Sequence, residues 1–231
     1  MVMNSVNPHK MMQSTIQKLK TDFPDVTPRF ERKFRLNNLI KETIKYRLFS
    51  MGFMENFPER KVNSCYFDRS NFDFAQDNIN GVNKRLKIRS RWYEDKFGKF
   101  SKHKLEFKCK EGFLGYKYIV NLNNNKKETI QNIVSTTGLN VDASIETSYN
   151  RIYFISSGGI RATLDYNLGA RLPYTKNSHI SLDYSVLEIK YPTNLDNYFR
   201  SNVLSNLVKF FPIRMNKSSK YVEALSKFRF V

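Results

Sequence analysis

Apolar and polar residues alternate with a period of two through much of the chain, the spacing of strands that bury one face. "RFERKFRL" (29–36) sets Arg29, Glu31, Lys33 and Arg35 against Phe30, Phe34 and Leu36, with Arg32 the exception. "RLKIRSRWY" (85–93) sets Arg85, Lys87, Arg89 and Arg91 against Leu86, Ile88 and Trp92. Four more stretches follow suit: Lys104, Glu106, Lys108 and Lys110 oppose Leu105, Phe107 and Cys109, and Tyr149, Arg151 and Tyr153 oppose Asn150, Ile152 and Phe154. Arg161, Thr163 and Asp165 oppose Ala162, Leu164 and Tyr166, and Glu188 and Lys190 oppose Leu187, Ile189 and Tyr191. Strands are also predicted over 61–68 and 115–122, with Gly112 and Gly115 bracketing a hairpin-like turn and 156–159 forming another.

Helical spacing appears in fewer places. Apolar residues at 39, 40, 44 and 48 predict a helix within 37–52, capped by Asn37 or Asn38 and stopped by Gly52. Others are predicted near 9–20 and over 123–138, 194–210 and 218–228, while the Asn/Asp-rich stretch 71–83 reads as loop. Residues 1–28 form an N-terminal extension, flexible or helical, ending at Pro24 and Pro28; 29–231 form the domain proper. Strands outnumber helices and do not alternate with them, which favours an α+β fold over a parallel βαβ sheet.

Composition narrows the partners. Of 231 residues, 40% are hydrophobic, enough for a substantial core, with 19 Phe and 13 Tyr supplying much of it. The formal charge of +18 favours a polyanion: nucleic acid, phosphorylated small molecules, anionic lipid or polyphosphate. Two cysteines, Cys65 and Cys109, make no disulfide framework and no metal pair, so a reducing, cytoplasmic setting is expected. The N-terminus lacks the uninterrupted apolar segment of a secretory signal, and no apolar run approaches the ~20 residues of a spanning helix. The expectation is a soluble chain that meets the cytoplasmic membrane face, if at all, through a partner. His9, His103 and His179 are scattered, with His9 and His103 expected at the surface, and make no metal site.

The charged faces of the strands invite an ordinary explanation, a half-solvated sheet. Wet faces normally mix Ser, Thr, Gln and Asn with both charge signs. These are dominated by Arg and Lys with single carboxylates among them, and adjacent cationic faces repel unless an anion joins them. The alternative is a closed antiparallel β-barrel of inverted sidedness, a tunnel with a charged lumen and an apolar outer wall flanked by helices. Phosphate chains suit such a lumen, since Arg pairs with phosphate through two parallel hydrogen bonds and Lys acts as a point charge. The sparse carboxylates are then candidates to hold a divalent metal that bridges phosphates. A nucleic-acid stacking platform needs aromatics beside the cations. Here Phe30, Phe34, Trp92, Phe107 and Phe154 take the opposite face and only Tyr149 and Tyr153 share it, so no nucleic acid is expected.

The motifs "RFERK", "RSRWY", "LEFKCK", "YNR…IRATLD", "VLEIKY" and "SSKY" occur in the order seen in the VTC (vacuolar transporter chaperone) polyphosphate polymerase domain, which the chain resembles over about residues 29–224. That domain is a triphosphate tunnel metalloenzyme. The resemblance implies a tunnel that takes ATP or another nucleoside triphosphate as donor, threads a growing inorganic polyphosphate and uses Mn2+ or Mg2+. By motif, it implies catalytic roles for Lys33, Arg89, Arg91, Lys108, Arg151, Arg161, Lys190 and Lys220. Substrate contacts fall to Tyr149, Ser219, Lys117 and Lys87, with Lys84, Arg85 and Lys87 expected near the mouth. Glu188 is the implied metal ligand, with Glu31 or Glu106 assisting unless these two serve only as ion-pair partners. Asp165 is expected to hold Arg161 or cap a turn, and Trp92 to lie in the outer wall. The hydrolase branch carries Glu-x-Glu-x-Lys on its first strand. Arg29-Phe30-Glu31-Arg32-Lys33 has one of those glutamates, which favours the polymerase-like branch. Known assemblies join this domain to transmembrane segments and a phosphate-sensing domain. Neither is in this sequence, so coupling to transport is expected from a separate membrane partner or not at all. The rival readings are a tripolyphosphatase or nucleoside triphosphatase built on the same tunnel, and a non-catalytic polyphosphate- or nucleic-acid-binding module.

Overall fold

The alternating stretches form the strands their spacing predicts. The computed structural model describes residues 8–37, 41–95, 97–122, 126–175, 177–210 and 218–231. In order, the chain forms α1 (Pro8–Asp22), β1 (Arg29–Leu36), α2 (Lys41–Ser50), β2 (Phe53–Asp68), α3 (Asp73–Ile79), β3 (Lys84–Glu94), β4 (Lys104–Glu111) and β5 (Leu114–Asn121). Then come α4 (Lys126–Thr137), β6 (Asp142–Ser156), β7 (Arg161–Arg171), β8 (Ile180–Leu182) and β9 (Ser185–Pro192). A 3-10 turn (Thr193–Leu195), α5 (Asp196–Tyr198), a π-helical stretch (Phe199–Leu204), α6 (Ser205–Phe210) and α7 (Lys220–Lys227) complete it.

Eight strands close into an antiparallel barrel in the order β6-β2-β3-β4-β5-β1-β9-β7, with β7 returning to β6, and the short β8 adds to β7 outside the ring. The register sets charged residues side by side: Arg89 opposite Glu106, Arg151 opposite Asp165 and Lys33 opposite Glu188. All of them point inward, so the apolar faces point out and the helices must cover them. Leu86, Ile88, Leu105 and Phe107 pack beneath Met12, Ile16 and Leu19 of α1 and Ile133 of α4. Phe34, Ile152, Phe154, Leu164, Leu187 and Ile189 pack beneath Ile44 and Leu48 of α2 and Phe199, Val203 and Leu207 further on. At about 1.5–3 kcal/mol for each fully buried large side chain, this external core supplies stabilisation that a polar lumen does not.

Several expectations are corrected. The stretch read as loop contains α3. Its N-cap, Phe72, is left-handed and makes no side-chain cap; the carboxylate of Asp68 instead accepts from the backbone N–H of Phe74 and Ala75, both at 3.0 Å. β2 begins at Phe53 rather than 61, because register shifts at Glu55/Phe57 and Phe57/Arg60 break the period of two. The stretch 194–210 is 3-10, α and π-helical in turn rather than one helix. The α2 cap candidate Asn38 and apolar positions 39 and 40 lie outside the described residues, as do 123–125 before α4. His103 is not a free surface residue: it is half-buried, stacks on Trp92 with centroids 4.5 Å apart, and its Nδ1 lies 3.2 Å from Ser90 Oγ. Arg32, the exception to the β1 pattern, donates to Tyr191 Oη (3.0 Å) and Asp196 Oδ1 (3.3 Å).

Candidate functional site

The barrel encloses a cavity of about 740 Å³. Among the described residues, fifteen Arg and Lys line it against two carboxylates, Glu31 and Glu188. Every residue to which the motifs give a catalytic, substrate or metal role lines it except Glu106, which lies behind the wall of cations.

The arginines are held by acids set behind them. Arg89 donates to Glu106 Oε2 from Nε (2.8 Å) and Nη2 (2.5 Å), and to Tyr66 Oη from Nη1 (3.1 Å). Lys117, which lines the cavity, donates to the other oxygen of Glu106 at 3.2 Å. Burial raises the Glu106 pKa, but Arg89, Arg91 and Lys117 outweigh it and hold the carboxyl well below its ordinary value. Both oxygens of Glu106 are thus engaged by cations, and 1% of its surface is exposed. Arg91 donates to Ser64 Oγ (3.0 Å) and Tyr149 Oη (2.8 Å). Burial pushes the Tyr149 phenol up to about 12 despite Arg151 and Arg91, so it stays neutral and keeps a proton to donate.

Arg151 and Asp165, neighbours across the β6–β7 ladder, form two parallel hydrogen bonds of 2.5 and 2.7 Å. Lys220, at the start of α7, reaches Asp165 Oδ2 at 2.7 Å. Asp165 thus holds Arg151 and Lys220, not Arg161 or a turn. Arg161 is exposed at the rim of the cavity.

Glu31 and Glu188 lie diagonally across the β1–β9 ladder, where Glu31 faces Lys190 and Lys33 faces Glu188. Lys108 Nζ is 2.7 Å from both oxygens of Glu31, Lys33 is 3.3 Å from it, and Lys190 is 2.7 Å from Glu188. Burial raises both carboxyl pKa values, but the surrounding lysines outweigh it and keep both ionised well below the ordinary range. The same burial lowers the amines of Lys108 and Lys190, the latter to about 8, in spite of these carboxylates. Among the described residues no group of three or more His, Cys, Asp or Glu converges. Glu31 and Glu188 are the two carboxylates in the described lining, and their oxygens are of the kind that hard divalent cations take.

A third cluster has little acid. Lys87, expected at the mouth, lies inside and donates to Ser219 Oγ at 2.7 Å. Ser219 also caps α7, accepting from Val222 N–H at 3.4 Å. Burial, then Lys33, Lys108 and Arg85, push the Lys87 amine well below its ordinary value, and burial with Arg85 lowers Lys110 to about 8. Arg85 Nε is buried without a hydrogen-bond partner. Lys84, by contrast, is exposed. The motifs did not single out Arg60, Tyr66 or Tyr93, which also line the cavity. Strand parity within 61–68 and 85–93 points Tyr66 and Tyr93 inward. Arg60 carries no such signal, because the β2 register shifts precede it.

An eight-stranded antiparallel barrel with a cation-lined lumen is the architecture of the triphosphate tunnel metalloenzymes. Solved structures with this fold include HpAC1 from Hippeastrum, described as a candidate adenylyl cyclase with a dominant triphosphatase activity (TM-score 0.54, 11% identity, 86% of this chain and 96% of that one). A candidate adenylate cyclase, bh2851, from Bacillus halodurans (0.53, 14%, 88% and 98%) and PH1819 from Pyrococcus horikoshii OT3 (0.52, 13%, 87% and 100%) also share it. The chain belongs to the VTC domain family, whose model matches residues 20–229. Comparison with curated protein sequences finds no match.

Proposed function

We propose that the chain is a polyphosphate polymerase that transfers the terminal phosphoryl group of ATP or another nucleoside triphosphate to a polyphosphate chain held in the lumen. The observation that carries this reading is the lumen itself, where among the described residues Arg and Lys line the cavity in great excess over carboxylate. Such a wall is costly when empty and is neutralised by a linear polyanion.

In this reading Arg89, Arg91 and Arg151 grip the donor phosphates, each already oriented by the acid or phenol behind it, so little reorganisation accompanies reaction. Arg161 meets the donor at the rim. A terminal phosphate oxygen of the acceptor attacks the γ-phosphorus, and the bond to the bridging oxygen breaks with its electron pair leaving on the β-phosphate. That nucleophile is already ionised, so no strong general base is required and the work is positioning and charge stabilisation. Lys33, Lys108, Lys117, Lys190 and Lys220 balance the charge, while Tyr149 and Ser219 donate neutral hydrogen bonds. Mn2+ or Mg2+ held by Glu31 and Glu188 would supply charge neutralisation between phosphate oxygens. Arg29 lines the cavity where the hydrolase-type motif has a further glutamate, which supports a site with few metal ligands.

Chain-length analysis of the products formed from ATP and manganese tests the reading. Long polyphosphate is expected. Phosphate and diphosphate alone would indicate the hydrolytic alternative, with water as attacker.

A further inference from the structure

The two ends of the lumen differ in chemistry. Arg85, Lys87, Arg89, Arg91 and Tyr93 follow one another along one face of β3, spanning roughly 26 Å at about 3.3 Å per residue. At the Arg85 end stand cations, with a lone ring, Phe113 of the turn between β4 and β5, beside them among the described residues. At the Tyr93 end stand aromatics: the Arg60 guanidinium lies 4.6 Å from the Tyr93 ring centre, 4.9 Å from that of Tyr153 and 6.0 Å from that of Phe57. Phe57 meets Tyr153 edge-on at 6.1 Å and is 55% exposed, although it lines the cavity. Three buried polar atoms here have no hydrogen-bond partner, Arg60 Nε, Tyr153 Oη and Thr163 Oγ1, and Thr163 faces Tyr153 across the ladder.

A bare phosphate chain has no use for an exposed ring, and an apolar partner has none for unpaired N–H and O–H groups. A heterocycle that is flat above and polar at its edge uses both. We infer that the patch around Phe57, Arg60 and Tyr153 docks the nucleobase of the donor, with the Phe57 ring as stacking platform and the arginine and threonine beside it as polar partners. The inference rests on the donor being a nucleoside triphosphate. It adds that the nucleoside lies at the aromatic end, so the phosphate chain extends toward Arg85.

The test is calorimetric titration of the whole chain, in chelator so that no turnover occurs, with ATP and with tripolyphosphate, which has no base. Phe57→Ala should weaken ATP binding about tenfold, the size of one lost base–aromatic stack, and leave tripolyphosphate binding unchanged. Phe57→Trp should restore ATP affinity. Equal weakening for both ligands, or no change for ATP, overturns the docking site. The outcome is separable from the polymerase reading: base-dependent ATP binding without long products would sink the polymerase and keep the site, and long products with unchanged ATP binding would do the reverse.

Discussion

Asp165 grips Arg151 by two parallel hydrogen bonds, at 2.5 and 2.7 Å, from the neighbouring strand of the barrel. The same carboxylate holds Lys220 at 2.7 Å, so one fully buried acid positions two lumen cations from different elements. Removing an acid from a buried ion cluster leaves its partners uncompensated, a loss of about 3–5 kcal/mol. Asp165→Asn should therefore lower unfolding stability by about 3 kcal/mol in urea titration. Saturating tripolyphosphate should stabilise the variant more than the parent, because the ligand supplies the missing negative charge. An unchanged unfolding midpoint would show that Asp165 is not the anchor described.

Much of this arrangement is legible in the sequence. Strand parity places Lys33, Arg89, Arg91, Lys108, Arg151, Glu188 and Lys190 on one side of their strands, and the closed barrel turns that side into a lumen. Partners across a ladder are not legible in the same way. Asp165 shares a strand face with Arg161, yet its partner is Arg151, because pairing depends on the register of β6 against β7. That Glu106 pairs with Arg89 follows from the register of β3 against β4, which sets the two directly opposite. Arg60 and Phe57 are hidden by the irregular first half of β2. The cap of α3 comes from Asp68, outside the local window in which a cap is sought.

The acid-poor cluster makes ligand binding depend on pH. Lys110 has its amine lowered to about 8 from 10.5, chiefly by burial. Lys87 is also shifted well below 10.5. Between about 8 and 10.5 the unfolded chain holds protons that the folded chain has released, so these groups make stability rise with pH across that window. A phosphate chain favours the charged amines. Binding should therefore take up protons, and tripolyphosphate affinity should fall from about pH 7 to about pH 9. Calorimetry in two buffers of different ionisation enthalpy reads the uptake directly; buffer-independent heats at about pH 8 would exclude it.

Ser219 serves helix and lumen together. Ser219→Ala removes the cap on Val222 N–H and the acceptor for Lys87 Nζ. A lost N-cap costs about 1 kcal/mol, which urea unfolding should register. Tripolyphosphate affinity should fall as well, because Lys87 loses the oxygen that fixes its position. A variant with lower stability and unaltered affinity would show that the Lys87–Ser219 contact is structural alone.

Glu188→Gln keeps the shape of the carboxylate and removes its charge, and Arg89→Ala removes one phosphate donor while Glu106 keeps Lys117 at 3.2 Å and Arg91 at 3.9 Å. Each should reduce polyphosphate synthesis by about 100-fold or more, the usual effect of losing one group that stabilises developing charge. Both should retain a cooperative thermal transition. Full activity in the pair would refute the assignment of these residues.

The most direct measurement is the structure of the protein with tripolyphosphate bound. The account predicts phosphorus density inside the barrel, against Arg89, Arg91 and Arg151, with the outer wall clear of ligand. Tripolyphosphate seated on the outer surface, with none in the lumen at saturating concentration, would contradict it.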